Sequence, residues 1–140
     1  MSAGYSGTPL PKKLGLKDGQ RVVFVGLPES LSHLAESSDF ATRKVMSAAG
    51  KAFPANLHVI HVFTRDAALL DEMLDLGRKS IVSNGMIWVS WPQKSAKVPT
   101  DVTEDVIRAM ALQKGLVDVK ICAVDETWSG LKLVIPNALR

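Results

Sequence analysis

Near the C-terminus the stretch DETWSG, Asp125 to Gly130, sets two carboxylates, a hydroxyl, a tryptophan and a Ser-Gly turn between two apolar runs. Neighbouring carboxylates can serve as general acid and base, and Lys94 is the candidate cation that would tune them. Adjacent residues on an extended strand point apart, however, so Asp125 and Glu126 form a dyad only where the loop bends. The same residues also make an ordinary hairpin tip. Asp, Ser and Gly are routine turn formers, and a hairpin tryptophan often covers core. Both readings stand on the sequence, with the turn chemistry weighing somewhat more.

Other signatures of chemistry are missing. A dinucleotide or S-adenosylmethionine site needs a glycine-rich first turn, so that backbone can approach the cofactor at a helix N-terminus. Here that turn reads VGLPESL, in which the single glycine, Gly26, is followed by Leu27 and Pro28, and proline removes a backbone donor. There is no P-loop, and Ser129 in TWSGL lacks the first glycine of a nucleophile elbow. His33, His58 and His61 show no chelating spacing, and the odd separation of His58 and His61 sends them to opposite sides of a strand. No metal and no cofactor are therefore expected. Cys122 is the only cysteine, which excludes an intrachain disulfide, and its alternating surroundings read as a small buried hydrophobe.

The elements that would position these residues follow from hydrophobic patterning. The first fifteen residues are rich in Gly, Pro and Ser and read as an arm over the body of the domain, with a helical turn at Leu10–Leu14 ending at Gly15. Val22 to Val25 is a continuous apolar run after Asp18-Gly19, which reads as a strand buried on both faces. Pro28 and Glu29 suit a short helix over residues 29–36. Residues 37–56 are ambiguous: helical by composition, with 41–46 equally readable as an edge strand. NLHVIHVF (56–63) is the next strand. Asp66 caps a helix whose stripe is Leu69, Leu70, Met73, Leu74 and Leu76, with Arg78 and Lys79 complementing its C-terminal dipole. Asn84-Gly85 reads as the turn into MIWVSW. Asp101 with Glu104 resembles a capping box for a helix running to Gly115, with Val102, Val106 and Met110 on one face. VDVKICAV and LKLVI then flank DETWSG closely enough to pair antiparallel.

Alternation of strands and helices gives an α/β sandwich with a mostly parallel sheet of about five or six strands, in one domain spanning residues 1–140. Right-handed crossovers bring the carboxyl ends of the parallel strands to one edge, where ligands bind in such sheets. Those ends carry Glu29, Arg65, Trp91 and Lys94, and the hairpin tip adds Asp125, Glu126 and Trp128. On this reading Arg65 and Lys94 supply charge and the two tryptophans supply apolar walls.

The composition of the 140-residue chain, 46% hydrophobic and 22% charged, is that of an ordinary globular protein. A net charge of +3, with Lys12-Lys13 its one short cluster, argues against a nucleic-acid surface. No run has the length of a signal peptide or of a membrane span, so the expectation is a cytoplasmic protein without a membrane partner.

AGYSGTPLPKKLG, GMIWVSWPQKS with TDVTEDVIR, and GLVDVKICAVDETWSGLKLV together resemble blocks of a family of small bacterial proteins of unknown function. A second resemblance is to the later half of Rossmann-like methyltransferases. It rests on NLHVIHVFTRDAALLDEML, NGMIWVSWP, a helix and a terminal hairpin, and it implies a three-layer Rossmann-like sandwich whose last strand inserts antiparallel beside the parallel ones. The glycine-poor first turn departs from that pattern, as does the absence of a clear ribose-binding acid after the second strand. Three function classes follow. The first is a binding module on a degenerate methyltransferase-like fold, without S-adenosylmethionine, for a small anionic metabolite or a protein. The second is an enzyme of unrecognised type using Asp125, Glu126 and Lys94. The third is a structural or homodimeric interaction protein.

Overall fold

The computed structural model describes residues 8–47 and 52–140, so residues 1–7 of the expected arm lie outside it. A helical turn, α1 (Leu10–Lys13), leads into β1 (Arg21–Val25), a 3-10 helix (Glu29–Glu36) and β2 (Thr42–Met46). β3 (Leu57–Phe63), α2 (Ala67–Ser80) and β4 (Ile81–Pro92) follow, then α3 (Glu104–Gln113), β5 (Val117–Ala123) and β6 (Trp128–Val134). The sheet is six-stranded in the order β2-β1-β3-β4-β6-β5. β2, β1, β3 and β4 run parallel, whereas β6 is antiparallel to both β4 and β5. β6 is thus the inserted antiparallel strand and DETWSG the connection into it.

Alternation along each strand feeds two cores. On one face Val23, Val25, Ile60, Val62, Ile87, Val89, Leu131 and Leu133 pack with Leu70, Met73 and Leu74 of α2 and Ile107 of α3. On the other, Val22, Phe24, Val59, Phe63 and Trp88 meet Leu14 from the N-terminal segment and Leu31 and Leu34 from the 3-10 helix. Trp88 is fully buried, and its Nε1–H donates to the Leu14 carbonyl at 3.0 Å. This pins the N-terminal turn across the sheet. Gly15, with φ +74°, provides the left-handed turn at its end.

Several local expectations need correction. Asn84-Gly85 does not end an element, because β4 is continuous and absorbs these residues as a bulge. It advances from Ile81 to Met86 while β3 advances only from Leu57 to Val59. The fold-back is tight enough that a Cβ on Gly85 would lie 3.0 Å from the Ile81 Cβ. Thr103, not Asp101, caps α3, its hydroxyl accepting from the Val106 amide; Asp101 instead accepts from the Ala67 amide at the start of α2. The buried face of α3 is Ile107 and Ala111; Val102 is buried but precedes the helix, Met110 is partly buried, and Val106 is not in the core. Cys122 lies on the edge strand β5 and is only half-buried, with burial raising its thiol pKa and Lys13 and Lys120 opposing that. Of the two readings of residues 41–46, the edge strand holds. Thr42, Arg43, Lys44 and Val45 are exposed, and backbone pairing with β1 keeps them in the sheet.

Candidate functional site

β1 has β2 on one side and β3 on the other, so chain direction across the sheet reverses between β1 and β3. A crevice forms where the connections diverge beyond the carboxyl ends of those strands. The turn after β1 begins at Gly26, whose φ of +67° is left-handed and whose amide donates to the Met46 carbonyl. A Cβ at Gly26 would sit 2.6 Å from the Phe63 carbonyl oxygen, so only glycine fits against the end of β3.

At the end of β3 a set of hydrogen bonds fixes the backbone. The Thr64 hydroxyl accepts from the Asp66 amide, and one Asp66 carboxylate oxygen accepts from the amides of Ala68 and Leu69. The Arg65 carbonyl accepts from the Thr100 hydroxyl and the Asp101 amide. Every one of these bonds uses the Arg65 main chain or a neighbour. The exposed Arg65 guanidinium makes no hydrogen bond or ion pair to another described residue.

Opposite stands the hairpin tip. One Asp125 carboxylate oxygen accepts from the amides of Thr127, at 2.8 Å, and Trp128, at 2.7 Å, closing the turn from within. Gln93 straps this tip to the end of β4. Its side-chain amide donates to the carbonyls of Asp125 and Glu126, and its backbone amide to that of Thr127. Trp128 emerges half-buried, its ring edge-on to Phe63 with centroids 5.4 Å apart. Phe63 in turn stacks on His61 at 4.1 Å. His61 is fully buried, 2.7 Å from the Ser90 hydroxyl, and burial pushes its pKa down to about 3, so the ring is neutral.

Between these walls lies a cleft of about 480 Å³, lined by Gly26, Phe63, Thr64, Arg65, Asp66, Leu69, Pro92, Val98, Thr127 and Trp128. Its volume falls in the range of small-molecule sites. Arg65 and Trp128 thus line one cleft, together with Phe63, Leu69 and Pro92. The sequence signal for Phe63 was its place as the last residue of β3, and for Pro92 its place in WPQK at the end of β4, where Trp128 was expected beside it; nothing marked Leu69 as more than core.

The other expected residues separate. Trp91 packs in the core under α2 and α3, on the face opposite Trp128, so the two tryptophans are not walls of one pocket. The register explains this: Pro92 pairs with Trp128 and Trp91 with Ser129, and side-chain direction alternates at each step. Trp91 and Lys94 instead line a second groove with Val98, Val102, Glu104 and Ile121. Lys94 is exposed and pairs with neither Asp125 nor Glu126; the residue joining the two loops is its neighbour Gln93. Asp125 is committed to the turn, Glu126 is exposed, and Glu29, exposed at the start of the 3-10 helix, lines neither cleft. Among the described residues no group of His, Cys, Asp or Glu is spaced to hold a metal ion, and no helix is long and apolar enough to cross a membrane.

This architecture recurs in solved S-adenosylmethionine-dependent methyltransferases. An O-methyltransferase of neocarzinostatin biosynthesis, solved with S-adenosylmethionine, superposes with a TM-score of 0.67 at 14% identity, over 94% of this chain and 51% of its own. A methyltransferase from Aquifex aeolicus gives a TM-score of 0.65 at 13% identity, covering 89% of this chain and 87% of that one. One from Thiobacillus denitrificans, solved with S-adenosylhomocysteine, gives 0.62 at 13% identity, covering 91% and 89%. The chain therefore spans about half the length of the first protein and most of the other two. At such identities the likeness is one of fold. No curated protein matches the sequence. A family model does match, over residues 12–137, and the chain belongs to that family, DUF3052, whose members are proteins of unknown function.

Proposed function

We propose that this chain folds as one Rossmann-like unit and acts as a ligand-binding module: a methyltransferase-like frame that keeps the crevice at the reversal point of its sheet but does not take up S-adenosylmethionine. The observation that carries the reading is the closed first turn. Gly26 is packed against the Phe63 carbonyl, so its missing side chain makes room for the protein's own backbone rather than for a cofactor. Pro28 removes one amide from the turn, and a 3-10 helix stands where an α-helix would aim its amides at a ligand. No Asp or Glu occurs between Asp39 and Asp66, so no acid follows β2 to hold a ribose. Isothermal calorimetry with S-adenosylmethionine and S-adenosylhomocysteine tests this. No saturable heat is expected at micromolar ligand, and a saturable isotherm would overturn the reading.

A second reading, a homodimer or partner interface, is favoured by one observation. β5 is an open edge strand whose Val119 and Ile121 are 53% and 49% exposed. Light scattering giving the monomer mass at high micromolar concentration would remove the homodimer.

A further inference from the structure

We infer that the cleft beside Trp128 takes an apolar monoanion, a small molecule with a hydrophobic body and one carboxylate-like head, and that Arg65 binds the head. The inference rests on the reading of this cleft as the binding site. It follows from which polar groups along the walls are still free to meet a ligand.

The body of the cleft is hydrocarbon: Phe63, Leu69, Pro92, Val98 and the ring of Trp128. Thr64 and Asp66 line it too, but both are engaged locally. The Thr64 hydroxyl accepts from the Asp66 amide, and the Asp66 carboxylate accepts from two amides of the first turn of α2. The nearby Asp101 carboxylate is likewise turned to the Ala67 amide. These carboxylates face helix amides, where negative charge is stabilised, and their demand for donors is met in part from within the protein. Arg65 is the exception. Its carbonyl is tied down by Thr100 and Asp101, which fixes where the side chain starts, while its guanidinium has no partner among the described residues. A planar fork of donors anchored at the rim of a hydrocarbon slot matches a carboxylate, which it can hold by two parallel hydrogen bonds. A cationic ligand would meet Arg65 first, and the carboxylate beside it, Asp66, already has one oxygen held by two amides of α2. A neutral one would use the hydrophobic wall and leave the fork to water.

Three probes of one shape separate these cases: 3-phenylpropanoate, 3-phenylpropanamide and 3-phenylpropylamine, titrated into 15N-labelled full-length protein. The expected result is that the propanoate shifts the Gly26, Thr64 and Thr127 amides and the Trp128 indole, and binds roughly tenfold more tightly than the amide, as a charge-assisted pair should. Arg65→Gln should abolish that preference and leave amide binding unchanged. The variant should fold normally, since no described residue depends on the guanidinium. If the three probes shift the cleft equally, or the amine binds best, or Arg65→Gln leaves the preference intact, the ligand class is wrong and the cleft stands as a site. If none of the three shifts any cleft resonance up to its solubility limit, the binding-site reading falls with it.

Discussion

Lowering the pH should destabilise this protein chiefly through His61. The ring is 1% exposed, stacked on Phe63, and hydrogen-bonded to Ser90, with no acid against it. The native state therefore keeps it neutral until pH is near its lowered pKa of about 3, whereas the unfolded chain protonates it from the ordinary value of 6.5 downward. Stability is thus complete above pH 6.5 and is lost as the pH falls through the window between the two values. Linkage gives a slope approaching about 1.4 kcal/mol per pH unit, or about 2 kcal/mol between pH 7 and pH 5. That is a large part of the roughly 5–15 kcal/mol that holds a domain together. His58 is shifted downward too, by burial and then by Arg21, and adds a smaller loss of the same sign. Urea unfolding followed by tryptophan fluorescence should show the midpoint falling by about 1 M at constant slope, taking a typical denaturant dependence of about 2 kcal/mol per M. In a His61→Phe, Ser90→Ala double variant, which removes both hydrogen-bonding partners together, most of this loss should vanish. Should that variant not fold, a histidine-ring NMR titration of the native protein decides instead. The reasoning is refuted if wild type and variant lose the same stability, or if the His61 ring titrates near 6.5 in the folded protein.

Three further perturbations test the geometry of the crevice. Gly26→Ala must place a Cβ 2.6 Å from the Phe63 oxygen at φ +67°, so chemical unfolding should show a loss exceeding the roughly 1–2 kcal/mol of a left-handed residue alone. Asp125→Ala leaves two turn amides without their acceptor and should cost about 1–2 kcal/mol, whereas Glu126→Ala, at an exposed position, should leave the unfolding midpoint unchanged. Equal effects of the two would mean that Asp125 is not the residue closing the tip. Trp128→Ala should cost about 2 kcal/mol, less than a fully buried aromatic because the residue is only partly buried, and should abolish the fluorescence response to any cleft ligand. A loss of more than about 4 kcal/mol would mark the ring as core rather than wall.

How far the sequence reached depends on where each signal came from. β1, β3 and β4 were legible because strands covered on both faces must be apolar at consecutive positions, and few other elements are. The inserted position of β6 was legible because a hairpin loop forces reversal after a parallel strand, with the family resemblance choosing insertion over edge addition. β2 was ambiguous for a physical reason: its exposed Thr42, Arg43, Lys44 and Val45 carry no burial pattern, and only hydrogen bonds to β1 define it. The Asp66 cap of α2 was legible, but the cap of α3 misled in the same way. Asp101 and Thr103 are both good capping residues, and the choice between them was made by the approach of α2, which the local sequence does not contain.

The site failed at a finer scale, that of side-chain parity. Strand ends told correctly which loops share an edge, since Gln93 does reach the carbonyls of Asp125 and Glu126. They did not tell which residue of a loop does the reaching, and a displacement by one position moved the role from Lys94 to Gln93. The same single step separates Trp91 from Trp128, whose neighbouring registers put one ring under the helices and the other over the crevice. Parity therefore leaves a tryptophan, a phenylalanine and an unpaired arginine around the reversal point of the sheet, with Asp66 and Asp125 turned to backbone amides. Among the described residues that line it, this crevice offers hydrophobic contact and the Arg65 guanidinium, while Lys94, Asp125 and Glu126 are not brought together there. On the binding reading proposed above, the charge on Arg65 is the feature through which a ligand would be chosen.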